Sequence, residues 1–180
     1  MTTLLASLLL LAYPLIVYFG LGLVEPRWLA VPLVAVALLR AWRQRDRVWL
    51  VVAAGTLVLA VTGLLANAAW PLKLYPLLIN AVLLAVFATS LYSPQSVIER
   101  LARRMEADFP PEAVGYTRRV TQVWCGFFLF NGGVSLLTAL WGDAAIWALY
   151  NGLISYLLMG VLFAGEWLVR RRVRARRAHA

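Results

Sequence analysis

The chain has 180 residues, of which 63% are hydrophobic and only 14% charged. A soluble domain of this size covers its surface with roughly a quarter charged residues, so this sequence cannot dress a water-facing exterior, and lipid has to be its main solvent. The formal charge of +9 lies in short basic clusters between long charge-free stretches, which encodes membrane topology and speaks against a nucleic-acid-binding face. The lone Cys125 and lone His179 exclude an internal disulfide and any Cys- or His-based metal cluster, and nothing calls for a cofactor.

About 20 apolar residues carry a helix across a hydrocarbon core of about 30 Å. Residues 2–24 are uncharged and predict a first span over about 4–24. This run lacks a basic n-region and is too long for a signal-peptide core, so it reads as a retained helix. Glu25, Pro26 and Arg27 then make a turn. The second span, 28–42, is the weakest. Only residues 28–39 are charge-free there, Pro32 would kink the helix, and Arg27 and Arg40 must snorkel to the two surfaces. If this segment were re-entrant, five spans would remain and the N-terminus would face outward. Charge-free runs at 48–72, 74–98, 120–142 and 144–165 predict spans over about 48–70, 74–92, 120–141 and 144–167. Lys73 alone separates the third and fourth, and Gly142-Asp143 the fifth and sixth, so those neighbours must be antiparallel. The expected fold is all-α: a single domain, 1–180, forming a six-helix transmembrane bundle with a loop at 93–119 and a basic tail at 168–180. A Tyr-Pro-Leu triplet at Tyr13 and again at Tyr75 raises a 3+3 inverted repeat as an alternative organisation, although the loop lengths of the halves differ.

Basic residues set the orientation. With six spans, the arginines of the 40–47 loop, the 93–119 loop and the tail share one side, and only Arg27 and Lys73 fall on the other. The positive-inside rule places the first group, and both termini, in the cytoplasm. Tryptophans agree: Trp42, Trp49, Trp124 and Trp167 fall near the inner interface, and Trp28, Trp70, Trp141 and Trp147 near the outer one, as an aromatic belt requires.

The 93–119 loop is long enough to hold structure. Ser93-Pro94 and the capping box Ser96–Glu99 start a helix of about three turns. Val97, Ile98, Leu101, Ala102, Met105 and Phe109 fall on one face of it, and Glu99, Arg100, Arg103, Arg104 and Glu106 on the other; Asp108 breaks the pattern. An interfacial amphipathic helix is therefore expected. Arg100, Arg103 and Arg104 are its candidate surface, either for anionic lipid headgroups or for a cytoplasmic partner, and the admixed Glu99, Glu106, Asp108 and Glu112 favour protein contact.

Polar groups in hydrocarbon need partners. At 1.5 Å per residue, Asn80 lies about 10 Å below Lys73, Asn151 at similar depth below Asp143, and Asn131 about 17 Å from its outer helix end. The three asparagines can meet in one layer between the fourth, fifth and sixth spans, with Tyr150 and Tyr156 nearby and Gly132, Gly133 and Gly152 allowing close approach. The plain reading is interhelical hydrogen bonding; the sharper one is a polar pocket of Lys73, Tyr75, Asn80, Asn131, Tyr150 and Asn151, with Lys73 attracting a phosphate or carboxylate at its mouth. Glu166 is the candidate coupling acid, although its position before Trp167 and the arginine tail suits an interfacial ion pair. Cys125 beside Trp124 reads as a small packed hydrophobe. No base–nucleophile pair accompanies these groups, so no enzyme is expected.

Several motifs resemble a known family. They are Lys73-Leu-Tyr-Pro76 with Asn80, Ser90-Leu-Tyr-Ser-Pro94, Ile98-Glu-Arg-Leu101, Tyr116 to Cys125, Phe127 to Gly132, and Trp147-Ala-Leu-Tyr-Asn151-Gly. Across about residues 70–170 the chain resembles uncharacterised bacterial inner-membrane proteins whose genes accompany aryl-polyene or xanthomonadin-type pigment synthesis. More distantly, the order of features is similar to the intracellular septation protein A family, usually drawn with five spans. The resemblance implies a setting in envelope-lipid or aryl-polyene-type lipid biogenesis, and the lack of a base–nucleophile pair makes a non-enzymatic accessory protein the expected role there. Such a protein would dock cytoplasmic fatty-acid or polyene synthesis enzymes through the 93–119 loop. A small lipid transporter using the asparagine layer is the alternative.

Overall fold

The computed structural model describes residues 47–66, 70–105 and 109–178, with Tyr18, Phe19, Val31, Val34, Ala35, Leu38 and Trp42 as isolated helical positions. Apart from those positions, the expected spans at 4–24 and 28–42 lie outside the described residues, as do Glu106, Asp108 and His179. In chain order the elements are α1 (Arg47–Ala66), α2 (Trp70–Lys73), α3 (Tyr75–Ser90), α4 (Val97–Met105), α5 (Ala113–Trp141), α6 (Ala144–Leu149), a π-helical turn (Tyr150–Ile154) and α7 (Ser155–Ala178). No strand occurs among the described residues. Among the described residues, three stretches are long and apolar enough to cross a membrane: Trp70–Ser90, Ala113–Trp141 and Ala144–Arg171. Within α1, Leu50–Gly63 is a shorter apolar stretch.

Prolines and caps set the joints. Pro71 and Pro76 each sit in a first helical turn, where a missing N–H costs no intrahelical bond. Between them the Leu74 amide donates to Pro71 O at 3.1 Å and the Leu78 amide to Leu74 O at 3.0 Å, so α2 and α3 run on as one broken rod. At the other tight connection Gly142 turns extended (φ −83°, ψ 146°) and ends α5. Asp143 then caps α6, its Oδ1 accepting from the Ile146 amide at 2.7 Å.

The long helix α5 is the axis of the bundle. Its buried residues are Thr117, Thr121, Trp124, Phe128, Asn131, Gly132, Ser135 and Ala139, spaced by three or four apart from the adjacent Asn131 and Gly132, and so confined to one side. The opposite face exposes Val123, Leu129, Phe130, Leu137, Leu140 and Trp141. Apart from Trp124 and Phe128, the groups inside are small or polar and those outside large and apolar, the reverse of a soluble helix, which suits a helix packed among neighbours and solvated by lipid. A close approach occurs at Gly132, where an added Cβ would lie 3.1 Å from Asn80 Cβ on α3. Gly55 of α1 plays the same part against the Leu78 side chain. Gly133 faces open space, so of the neighbouring glycines only Gly132 serves the approach expected of both.

Two apolar clusters close the ends. Ala60, Leu72, Tyr75, Ala139, Trp147 and Ala148 form one, next to the α2–α3 and α5–α6 joints. Phe87, Trp124, Phe127, Phe128 and Phe163 form the other, with ring centroids from 4.6 Å (Trp124–Phe163) to 6.5 Å (Phe87–Trp124). Trp124 and Trp147, expected in interfacial belts, are thus core residues; Trp147 has 0% of its surface exposed. Trp42, Trp70, Trp141 and Trp167 do face outward. Two boundaries also move. α5 begins at Ala113, well before the expected start at 120, because Arg118 and Arg119 do not interrupt a helix; α7 runs through the arginines to Ala178.

Candidate functional site

Asn80 on α3, Asn131 on α5, and Tyr150 and Asn151 at the start of the π-helical turn are all buried. The structure brings them into one hydrogen-bonded chain. Asn131 donates through Nδ2 to Asn80 Oδ1 at 3.1 Å and accepts at Oδ1 from the Tyr150 hydroxyl at 2.9 Å. Asn80 turns its own Nδ2 onto Pro76 O of its helix at 2.8 Å. One turn along α5, Ser135 Oγ lies 2.8 Å from Asn131 O and 2.7 Å from Asn151 Oδ1. A hydroxyl has one proton, so Ser135 chooses between these two acceptors at any moment. Asn151 donates to Trp147 O at 2.9 Å and reaches Thr138 Oγ1 at 3.3 Å. Ser155 Oγ continues the chain onto Asn151 O at 3.2 Å.

The π-helical turn fits this arrangement. Adjacent residues of an α-helix diverge by about 100°, which would turn Tyr150 or Asn151 away from α5. The wider π turn lets both stay buried on the α5 side. Such turns are uncommon and occur often at functional positions. Sequence reasoning missed Ser135 and Thr138, which follow Asn131 at i+4 and i+7 and so share its face.

The remaining pocket candidates occupy the layer's edge. Tyr75 is buried in the apolar cluster with Trp147. Lys73 is half-buried at the α2–α3 joint, and its carbonyl accepts from Trp147 Nε1 at 3.0 Å, tying that joint to α6. Tyr156 is half-buried one turn beyond Asn151. Every asparagine side chain in the layer is engaged by protein, so the chemistry on view is helix-to-helix bonding. Glu166 lies far from the layer. It is half-buried on α7 and accepts at Oε1 from the Tyr116 hydroxyl at 3.2 Å, linking α7 to the start of α5. Cys125 is half-buried with a free thiol.

At the Ser90 end of α3, the helix expected in the 93–119 loop is α4, but its roll differs from expectation. Glu99, assigned by the helical wheel to the polar outer face, is 3% exposed, while Leu101 and Met105 are 53% and 70% exposed. Glu99 tolerates burial because Arg103, one turn on, pairs with its Oε1 through Nε at 2.9 Å and Nη2 at 2.8 Å. The Arg103 guanidinium also sits 4.6 Å from the centroid of the Phe109 ring. Arg103 is therefore held by the fold, whereas Arg100 and Arg104 are exposed and have no ion-pair partner among the described residues. Ser90 Oγ accepts from the Val97 amide at 3.1 Å, and Ser96 Oγ, in its expected capping role, from the Glu99 amide at 3.3 Å. Arg118 of α5 donates to Leu91 O, completing the joint between α3, α4 and α5.

No protein-family model, curated protein or solved structure matches the chain.

Proposed function

We propose that this chain is a non-enzymatic accessory protein of the bacterial inner membrane, a six-span bundle with both termini and the 93–119 loop in the cytoplasm. In this reading α1 and the segments at 4–24 and 28–42 complete the bundle around α3, α5 and α7. The protein holds a preformed cytoplasmic surface against the membrane and recruits enzymes of fatty-acid-like or aryl-polyene-type lipid synthesis for envelope biogenesis. The observation that carries it is the state of the polar layer. Asn80, Asn131 and Asn151 bond to one another's helices through Tyr150, Ser135 and Thr138, which fixes a rigid frame on which a docking surface can be held. The resemblance in residues 70–170 supports the biosynthetic setting.

Tyr92, 94% exposed at the joint between α3 and α4, is the aromatic anchor such a surface would use. Affinity capture of the whole protein from membranes should recover acyl-carrier or acyltransferase partners. Tyr92→Ala should weaken that recovery by about ten-fold or more, as expected for a hot-spot aromatic. Undiminished recovery would remove Tyr92 from the docking surface, and the absence of such partners from the wild-type capture would count against the reading.

The alternative, a small lipid transporter using the same layer, draws on the π-helical turn beside Asn151 as a point where α6 and α7 could shift. It requires Asn80→Leu to abolish transport while leaving the protein folded.

A further inference from the structure

We propose that the outward side of α4 is a binding surface for anionic phospholipid headgroups, with Leu101 and Met105 at the acyl boundary and Arg100 and Arg104 on the lipid phosphates. This rests on the membrane reading above but not on the identity of any cytoplasmic partner.

Level comes first. α4 connects the ends of α3 and α5, both within span-length apolar stretches, so it lies where these helices leave the hydrocarbon. Roll comes second. The buried side of α4 is marked by Glu99 and Ala102, and its N-terminus is pinned by the hydroxyls of Ser90 and Ser96. At about 100° per residue, the exposed side then carries two parallel rows one turn long. Leu101 and Met105 form an apolar row, and Arg100 and Arg104 form a basic row beside it.

Charge decides the occupant. The sequence pattern mixed Glu99, Glu106, Asp108 and Glu112 among these arginines, which argued for protein contact; of these, Glu99 alone lies within α4. In the fold Glu99 is turned inward and paired with Arg103, so the exposed rows of α4 combine apolar side chains with two cations that form no ion pair with a described acid. An apolar row flanked by arginines is the composition of a helix lying in the headgroup layer, where the long arginine stems let the guanidinium reach the phosphate. A water-soluble partner would have to cover Leu101 and Met105 at the same level as the lipid. The inner leaflet covers them without any further component and supplies the anion as well.

The test uses the full chain in a Cys125→Ser background, reconstituted in nanodiscs of phosphatidylcholine alone or with phosphatidylglycerol. Nitroxide labels go on Leu101→Cys and Met105→Cys, with Ser93→Cys, at an exposed turn position, as the aqueous reference. The expected result is that labels at 101 and 105 collide with oxygen in preference to a water-soluble nickel chelate, with the reverse at 93. In native mass spectrometry, phosphatidylglycerol retained over phosphatidylcholine should fall by about five-fold for each arginine removed in Arg100→Gln and Arg104→Gln. Arg100→Lys with Arg104→Lys should keep most of it. Aqueous labels at 101 and 105 in both disc compositions would overturn the proposal, as would unchanged lipid preference in the double glutamine variant. Labels shielded only after adding a cytoplasmic extract would assign the surface to a protein and overturn it equally. Failure of the membrane reading is separate, because a chain that stays dispersed without detergent or lipid would show it before any label is read.

Discussion

Replacing Asn131 by alanine removes the group on which the polar layer converges. Two side-chain bonds go, from Asn131 Nδ2 to Asn80 Oδ1 and from the Tyr150 hydroxyl to Asn131 Oδ1. Interhelical bonds in membranes average about 0.6 kcal/mol each, so the bonds alone contribute about 1.2 kcal/mol. The partners are also left behind. Asn80 keeps its bond to Pro76 O, but its Oδ1 and the Tyr150 hydroxyl become buried groups without their partner, at about 1 kcal/mol or more. The expected loss is about 2–3 kcal/mol. It is measured by equilibrium unfolding in mixed micelles followed by tryptophan fluorescence, for which buried Trp124 and Trp147 are reporters in two separate clusters. A double-mutant cycle with Tyr150→Phe should give a coupling of about 0.6 kcal/mol, and no more than about 1.7 kcal/mol. A loss below about 0.5 kcal/mol for Asn131→Ala, with no coupling to Tyr150, would refute the claim that the layer holds the helices together.

Other substitutions separate neighbours that look alike in sequence. Gly132→Ala should destabilise by about 1 kcal/mol, because its Cβ meets Asn80 at 3.1 Å, whereas Gly133→Ala, in open space, should be neutral or slightly stabilising in the same unfolding assay. Arg103→Gln leaves Glu99 buried without its ion-pair partner and should cost about 2 kcal/mol, discounted for the partial exposure of Arg103; Arg104→Gln should cost almost nothing. Asp143→Ala removes the cap on α6 and should lower stability by about 1 kcal/mol. Trp147→Phe loses the bond to Lys73 O and leaves part of the buried indole volume empty, and should cost about 2 kcal/mol or more with loosening of the α2–α3 joint visible by hydrogen exchange.

The convergence of Asn80, Asn131 and Asn151 is legible in the sequence, since helical rise alone puts all three at related depths between antiparallel neighbours. The connecting hydroxyls were less so: Ser135 and Thr138 declare themselves only when α5 is read as one face around Asn131. The π-helical turn left no sequence signal, because it follows from packing Tyr150 and Asn151 toward the same neighbour. Glu99 shows why a helical wheel misleads on a short surface helix. The wheel groups charges by angle but does not know on which side the bundle lies, and an i, i+4 arginine lets a carboxylate face inward. Trp124 and Trp147 carry the same lesson for tryptophans near span ends, where nearness to an interface does not decide whether the ring faces lipid or protein. The helices run beyond the expected spans at Ala113 and in the tail because charge marks where a chain leaves hydrocarbon, not where its hydrogen bonding stops.

The most direct test of the account is sidedness. With Cys125 replaced by serine, single cysteines at Ser93, Asp143 and Ala178 would be challenged with a membrane-impermeant thiol reagent in intact and then permeabilised cells. The account predicts labelling at 143 in intact cells, and at 93 and 178 only after permeabilisation. Labelling of 93 and 143 from the same side would contradict it, because α5 would then not cross the membrane.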